Sequence, residues 1–245
     1  MKPIVKTLAV GLIAAGVGVV GGRMLAPKPD PIPAEPLGKL QYGNAQFAKG
    51  KLISPSVDEM TRYKLESDGS EPLAIVVACS DSRVPPELIF NQGLGDLFVV
   101  RTVGHVVSPE NLASIEYAVE HLKAPLIVVL GHTHCSVVKA AVSDTSLEGR
   151  LPKLVAHVKP VVRRLHTTHP HLKGDALIER VTREHVINSI QTIFQRSEIV
   201  RKYHQKGKLE FAGGVYDLRA GTIEWLKLPE ELGAKRSEEK KVEVH

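Results

Sequence analysis

Two cysteines occur in the 245 residues, Cys79 and Cys135, and both stand among groups that suit a metal ion. Cys79 opens the run Cys79-Ser-Asp-Ser-Arg83, and Cys135 closes Gly131-His-Thr-His-Cys135. Zinc prefers thiolate and imidazole, and a catalytic zinc uses three protein ligands while keeping a fourth position exchangeable. Cys79, His132 and Cys135 make up such a set. Asp81, two residues from Cys79, can take the fourth position itself or accept a hydrogen bond from a metal-bound hydroxide. Arg83 can fork onto that carboxylate and keep it ionised and oriented. Zinc lowers the pKa of bound water to about 7, so the predicted chemistry is attack by hydroxide on a small, uncharged electrophile.

These residues work together only if the chain brings them to one place, and the hydrophobic pattern says how. Residues 73–78, 97–100 and 126–130 are short apolar runs rich in β-branched residues, which read as strands buried on both faces. Between the last two, residues 109–122 carry Leu112, Ile115, Ala118, Val119 and Leu122 on one helical face. Strand, helix and strand in that order imply a parallel sheet with right-handed crossovers. Cys79 and Cys135 then lie just past the C-terminal ends of two parallel strands, where open α/β sheets place their ligands. A helical stretch is predicted over 37–51 and a long, charged helical region over 174–205. Residues 209–218 and 222–226 flank Arg219-Ala-Gly221 as a hairpin. The chain therefore reads as one α/β domain, a mostly parallel central sheet flanked by helices, over 37–228.

The ends read differently. Lys2 and Lys6 precede an uncharged, mostly apolar run, 7–22, followed by Arg23. Sixteen such residues are short for a membrane span and long enough for a signal sequence. Residues 1–26 are predicted to be a signal peptide or membrane anchor, which implies export, with a periplasmic location. The body is expected to be soluble after cleavage or tethered through 7–22. Residues 27–36, with five prolines, read as an extended linker. Residues 229–245 read as a charged, frayed tail. Net charge is +5, and removing the three leader cations leaves +2. That is too little for nucleic-acid binding, and no basic stripe interleaved with aromatics appears.

At the two cysteine motifs a resemblance becomes specific. Cys79-Ser-Asp-Ser-Arg-Val-Pro-Pro-Glu87 and Gly131-His-Thr-His-Cys135 resemble the zinc-site signatures of β-class carbonic anhydrases. Gly43-Asn44 with Phe47, the run Gln92 to Arg101, the run Ser114 to Leu122 and Phe211-Ala-Gly-Gly-Val-Tyr-Asp217 are similar to the family as well. The resemblance implies the family fold, with an N-terminal helical arm and a C-terminal hairpin. It also implies a lyase, which reversibly hydrates carbon dioxide to bicarbonate and a proton by a zinc-bound hydroxide. Cys79, His132 and Cys135 would ligate one Zn(2+) per subunit, and Asp81 and Arg83 would be the catalytic pair. Phe98, Val103 and Tyr117 would surround the carbon dioxide pocket, partly across a dimer interface. A homodimer or higher even oligomer is therefore expected.

Three positions depart from the family pattern. Ser70 stands where many members have a substrate-orienting glutamine, His105 where they have asparagine, and Ser136 where they have glycine. Ser70 implies a weaker substrate hydrogen bond, or a water in its place. His105 can either pack or tune, since it titrates. Other readings stay open. The two cysteines could form a disulfide in an exported protein, but a disulfide would leave His132 and the Asp–Arg pair unexplained. His134 could be a fourth ligand or a proton shuttle but reads better as a histidine at the surface or behind the ligands, since its side chain points away from theirs. His166, His169 and His171 read as exposed loop histidines, and Tyr117 on pattern alone as core. The same fold and zinc could serve a hydrolase of carbon disulfide or carbonyl sulfide, or a zinc- or bicarbonate-binding module without turnover.

Overall fold

The computed structural model describes residues 31–52 and 57–233. The predicted leader, the first part of the linker and the tail beyond 233 lie outside those residues. None of the described helices is long and apolar enough to cross a membrane.

The described chain begins with α1 (Pro36–Ala48) and α2 (Glu59–Asp68), and then enters β1 (Ala74–Cys79). A single turn, α3 (Pro86–Ile89), leads to β2 (Leu97–Thr102) and the 3-10 turn Val103–His105. Next come α4 (Pro109–Glu120), β3 (Leu126–His132), α5 (Ser136–Val142) and α6 (Leu151–Thr168). The last elements are α7 (Gly174–Arg196), α8 (Glu198–Gln205), β4 (Glu210–Tyr216) and β5 (Ile223–Trp225). The sheet order is β2-β1-β3-β4-β5, with β5 antiparallel to β4 and the other pairings parallel. Fold class, the three early strands and the terminal hairpin are as the pattern predicted.

Why these segments form strands is visible in their burial. Every residue of β1 and β3 is buried, which explains runs such as Ala-Ile-Val-Val-Ala that do not alternate with polar residues. Successive side chains still point to opposite faces. Ile75, Val77, Ile127 and Val129 pack with residues of α4, α7 and α8, while Val76, Ala78, Val128 and Leu130 pack with α1 and α3. At the sheet edge β2 is only partly buried.

Helix ends follow local chemistry. Ser108 accepts from the Asn111 N–H and Pro109 takes the first position of α4. The long helical region predicted over 174–205 is two helices. Ser197 has extended backbone between them, and its hydroxyl accepts from the Val200 N–H at 3.1 Å to start α8. Helices α2 and α6 fall outside the predicted elements. In α6 the signal was present, since Val155, Val158, Val162 and Leu165 recur at helical spacing and are buried.

The folded body also runs past the boundary expected at Leu228. Leu232 is fully buried among α8 and sheet residues. The His204 ring nitrogens lie 2.8 and 3.1 Å from the carbonyl oxygens of Leu209 and Glu231. Pro229 to Gly233 are therefore part of the body, and the charged tail falls after them.

Helix α7 lies directly on the sheet because two strand positions lack side chains. A Cβ at Gly131 would come within 2.7 Å of Val186 Cγ2, and one at Gly213 within 2.9 Å of Val186 Cγ1. Gly131→Ala is expected to destabilise the protein by about 1–3 kcal/mol through overpacking. A thermal melt unchanged from the wild type would show that α7 can move aside.

Candidate metal centre

Three side chains meet at the C-terminal ends of β1 and β3. Cys79 is the last residue of β1, His132 the last of β3, and Cys135 precedes α5. Their ligand atoms all lie within 4.8 Å of one another, and all three residues are buried. They converge because β1 and β3 are adjacent and parallel, in a register that pairs Ala78 with Leu130. Both cysteines are free thiols, so the disulfide reading fails.

The donor set fits a metal on its own chemistry. His132 Nδ1 lies 2.8 Å from the Thr133 carbonyl oxygen, which can only accept, so Nδ1 carries the proton. Nε2 is then a bare acceptor, and it is buried with no partner. A buried orphan nitrogen facing two thiols is costly unless a cation takes its lone pair. The thiols perturb each other. The Cys135 thiol and the N–H groups of Gly104 and Asp81 favour charge on Cys79 and push its pKa down, while Cys135 is pushed up by the same pairing and by burial.

Asp81 stands at the rim, held by Arg83 and outside the ligand cluster. Arg83 Nε donates to Oδ1 at 2.9 Å, its terminal nitrogen to Oδ2 at 2.7 Å, and its backbone N–H to Oδ1 at 2.9 Å. The Arg83 guanidinium holds the Asp81 carboxyl well below the usual carboxylate range. Arg101, which the sequence places only in a strand, has a clear job here. Its guanidinium donates to the carbonyl oxygens of Cys79 at 2.9 Å and Asp81 at 2.6 Å, locking the loop between ligand and carboxylate. A charged residue directly after the apolar run 97–100 is the available signal.

The residues expected around the substrate divide into two groups. Val103 sits in the turn touching the centre, and Ser136 is exposed at the first turn of α5 beside Cys135. Phe98 and Tyr117 do meet, with ring centroids 6.5 Å apart, but Phe98 pairs with Ile75 near the start of β1. Ser70 lies just before β1. Strand β1 rises about 3.3 Å per residue, so Ser70 and Phe98 are roughly a strand's length from Cys79 within one chain. One chain therefore does not place Ser70, Phe98 and Tyr117 at its own metal centre.

His105 does not line the substrate pocket. It is fully buried, and its ring lies tilted against that of His185, with centroids 4.5 Å apart. Burial above all, then the neighbouring His185 and His132, keeps its pKa well below the ordinary value, so it is a neutral packing residue. His134 is exposed, as are His166 and His171. A groove of about 500 Å³ opens beside the centre, lined by Arg83, Thr133, His134, Asp217 and Arg219 among others. Cys79, His132 and Cys135 are not in its lining, so it borders the centre and does not contain it.

Residues 74–223 match the family model described as carbonic anhydrase. A carbonic anhydrase of Mycolicibacterium smegmatis is 40% identical over 188 residues, covering 76% of this chain and 89% of the relative. Among solved structures, the β-carbonic anhydrase CafA of Aspergillus fumigatus aligns with a TM-score of 0.65 at 28% identity, over 77% of this chain and 93% of that one. The tetrameric β-carbonic anhydrases of Sordaria macrospora include one with a TM-score of 0.61 at 28% identity, over 68% of this chain and 91% of that one.

Proposed function

The chain belongs to the β-class carbonic anhydrases, and from that membership we infer that Cys79, His132 and Cys135 hold a zinc ion as the working centre of the enzyme. Its reaction is the reversible hydration of carbon dioxide to bicarbonate and a proton. The observation that carries the zinc reading is the buried, unpartnered His132 Nε2 beside two free thiols. A bound zinc supplies the Lewis acidity that makes water a nucleophile near neutral pH.

The chain's own groups do the rest. Arg83 fixes both carboxylate oxygens of Asp81, so Asp81 is ready to accept a hydrogen bond from the attacking water and aim its lone pair at the substrate carbon. Arg101 holds the Cys79–Asp81 segment, keeping ligand and acceptor in a constant relation. Val103, exposed and next in sequence to Gly104, offers apolar surface to an uncharged gas. Relatives bearing the name carbonic anhydrase do not favour the carbon disulfide reading.

We further propose that a second copy completes the pocket. Three observations support it. Strand β2 is a sheet edge, paired within the chain to β1. Val103 and Tyr117 are large apolar side chains left exposed. The Sordaria relatives are tetrameric. Phe98, Tyr117 and Ser70 would then serve the partner's centre. The basic end and apolar run of residues 1–26 support export, which fractionation with N-terminal sequencing would test.

The decisive experiment is stopped-flow hydration of carbon dioxide from about pH 6.5 to 9, with zinc content and sedimentation measured on the same sample. Activity rising with pH, about one zinc per chain and a mass of two or more chains are expected. Full zinc with no activity at any pH would favour a binding module, and a fully active monomer would sink the shared-pocket reading.

A further inference from the structure

We propose that His185 is a positioning residue for the Cys79 sulfur, acting through Gly104. The inference rests on the zinc reading of the centre. The turn Val103–His105 is conformationally expensive: Gly104 has φ 74° and the next residue, His105, has φ 44°. A side-chain-bearing residue in the left-handed region costs on the order of 1 kcal/mol or more, so outside contacts must hold the turn.

Two contacts do so, on opposite sides of one residue. The Gly104 N–H donates to Cys79 Sγ at 3.2 Å, and the Asp81 N–H approaches the same sulfur at 3.4 Å. The Gly104 carbonyl oxygen faces the other way and lies 3.1 Å from His185 Nε2. A carbonyl can only accept, so Nε2 carries the proton and donates. His185 Nδ1 is then bare, and it is buried without a partner. An apolar side chain would fill this space without stranding a nitrogen. What the imidazole adds over such a residue is its one donor, aimed at Gly104. Burial pushes the His185 pKa down to about 4, which keeps the ring in this neutral form.

The anchor is packed on the sheet. His185 precedes Val186, whose methyl groups lie over Gly131 and Gly213, so a shift of α7 would open that contact. Position is thereby passed from α7 through the two peptide groups that flank the Gly104 Cα and on to the sulfur. An N–H donated to a metal-ligating thiolate takes up part of its charge and fixes its direction. Removing such outer partners typically costs 10–100-fold in metal affinity. Nothing in the 105 residues between Cys79 and His185 announces this link, which exists only because α7 packs against the end of β3.

The test compares wild type with His185→Leu, His185→Gln and His185→Asn by zinc competition against a chelator. Each is also loaded with cobalt(II) to read the thiolate-to-cobalt charge-transfer band. The leucine variant should bind zinc about 10–100-fold more weakly and move the band to longer wavelength, because the sulfur regains charge. Glutamine carries an N–H near the Nε2 position and should restore both readouts. Asparagine carries its amide near the Nδ1 position and should behave like leucine. Equal affinity and an equal band in wild type and leucine variant would overturn the proposal. So would a glutamine variant as impaired as leucine, which would reduce the ring to packing. If the leucine variant does not fold, the glutamine–asparagine pair decides, and equal affinity in the two overturns the proposal. A wild type that takes up no metal would instead overturn the zinc reading itself.

Discussion

Cys135→Ala is expected to leave the protein without its metal and to reduce carbon dioxide hydration to the uncatalysed background. Cys135 supplies one of three ligand atoms lying within 4.8 Å of one another, and two remaining ligands leave the ion exposed to competition from water. Substituting the thiol also removes the partner that favours charge on Cys79. The loss should appear in stability as well as activity. A ligand that binds the folded state at a thousand times its Kd stabilises it by about 4 kcal/mol. Wild-type protein should therefore melt several degrees higher with zinc than without it, while the variant should not respond. Because the thiols must lose protons to bind, the wild-type zinc response should weaken as pH falls. The measurements are metal analysis after dialysis and melting with and without zinc. A variant retaining one zinc per chain would show that Cys135 is not a ligand.

Asp81→Asn separates chemistry from structure. The substitution keeps the shape and one oxygen for Arg83, and removes the charge. Little stability should be lost, since Arg83 is about half exposed and solvent screens such a pair. Zinc should be retained, because the carboxylate is held by Arg83 and not by the ligand cluster. Activity should fall by about 10²- to 10³-fold, the effect of removing one pre-aimed hydrogen-bonding group from an active site. The pH dependence follows from the direction of the Asp81 shift, which Arg83 causes. A carboxyl whose folded pKa is depressed contributes stability above its unfolded value of about 3.9 and loses it as pH falls through the folded value. Asp81 is therefore ionised across the neutral range, and an activity that rises there does not report its titration. Full turnover in the variant would remove Asp81 from the mechanism.

The centre was legible in the sequence to an unusual degree because its parts are local. Cys79, Asp81 and Arg83 lie within five residues, and His132 and Cys135 within four, each group at the end of an apolar run. A parallel sheet gathers strand ends on one side, so two such motifs imply one site before any coordinates are known. His105 shows the limit of that reasoning. Its position beside the centre was readable, but its burial against His185 was not, because the partner lies on a helix 80 residues away.

By itself, then, the sequence determined the strands, the crossover order and which two cysteines and one histidine meet at the strand ends. Strand burial writes itself as uninterrupted apolar runs, and metal chemistry restricts the residue types that can serve. Tertiary structure alone decided the rest: Arg101 across the loop from Cys79, His185 against Gly104, Leu232 tucked under α8, and Phe98 with Tyr117 held away from the chain's own metal centre. Those contacts depend on how α7 and the sheet edges meet in space. Hydrophobic period reports which face of an element is buried, but not which distant residue lies against it.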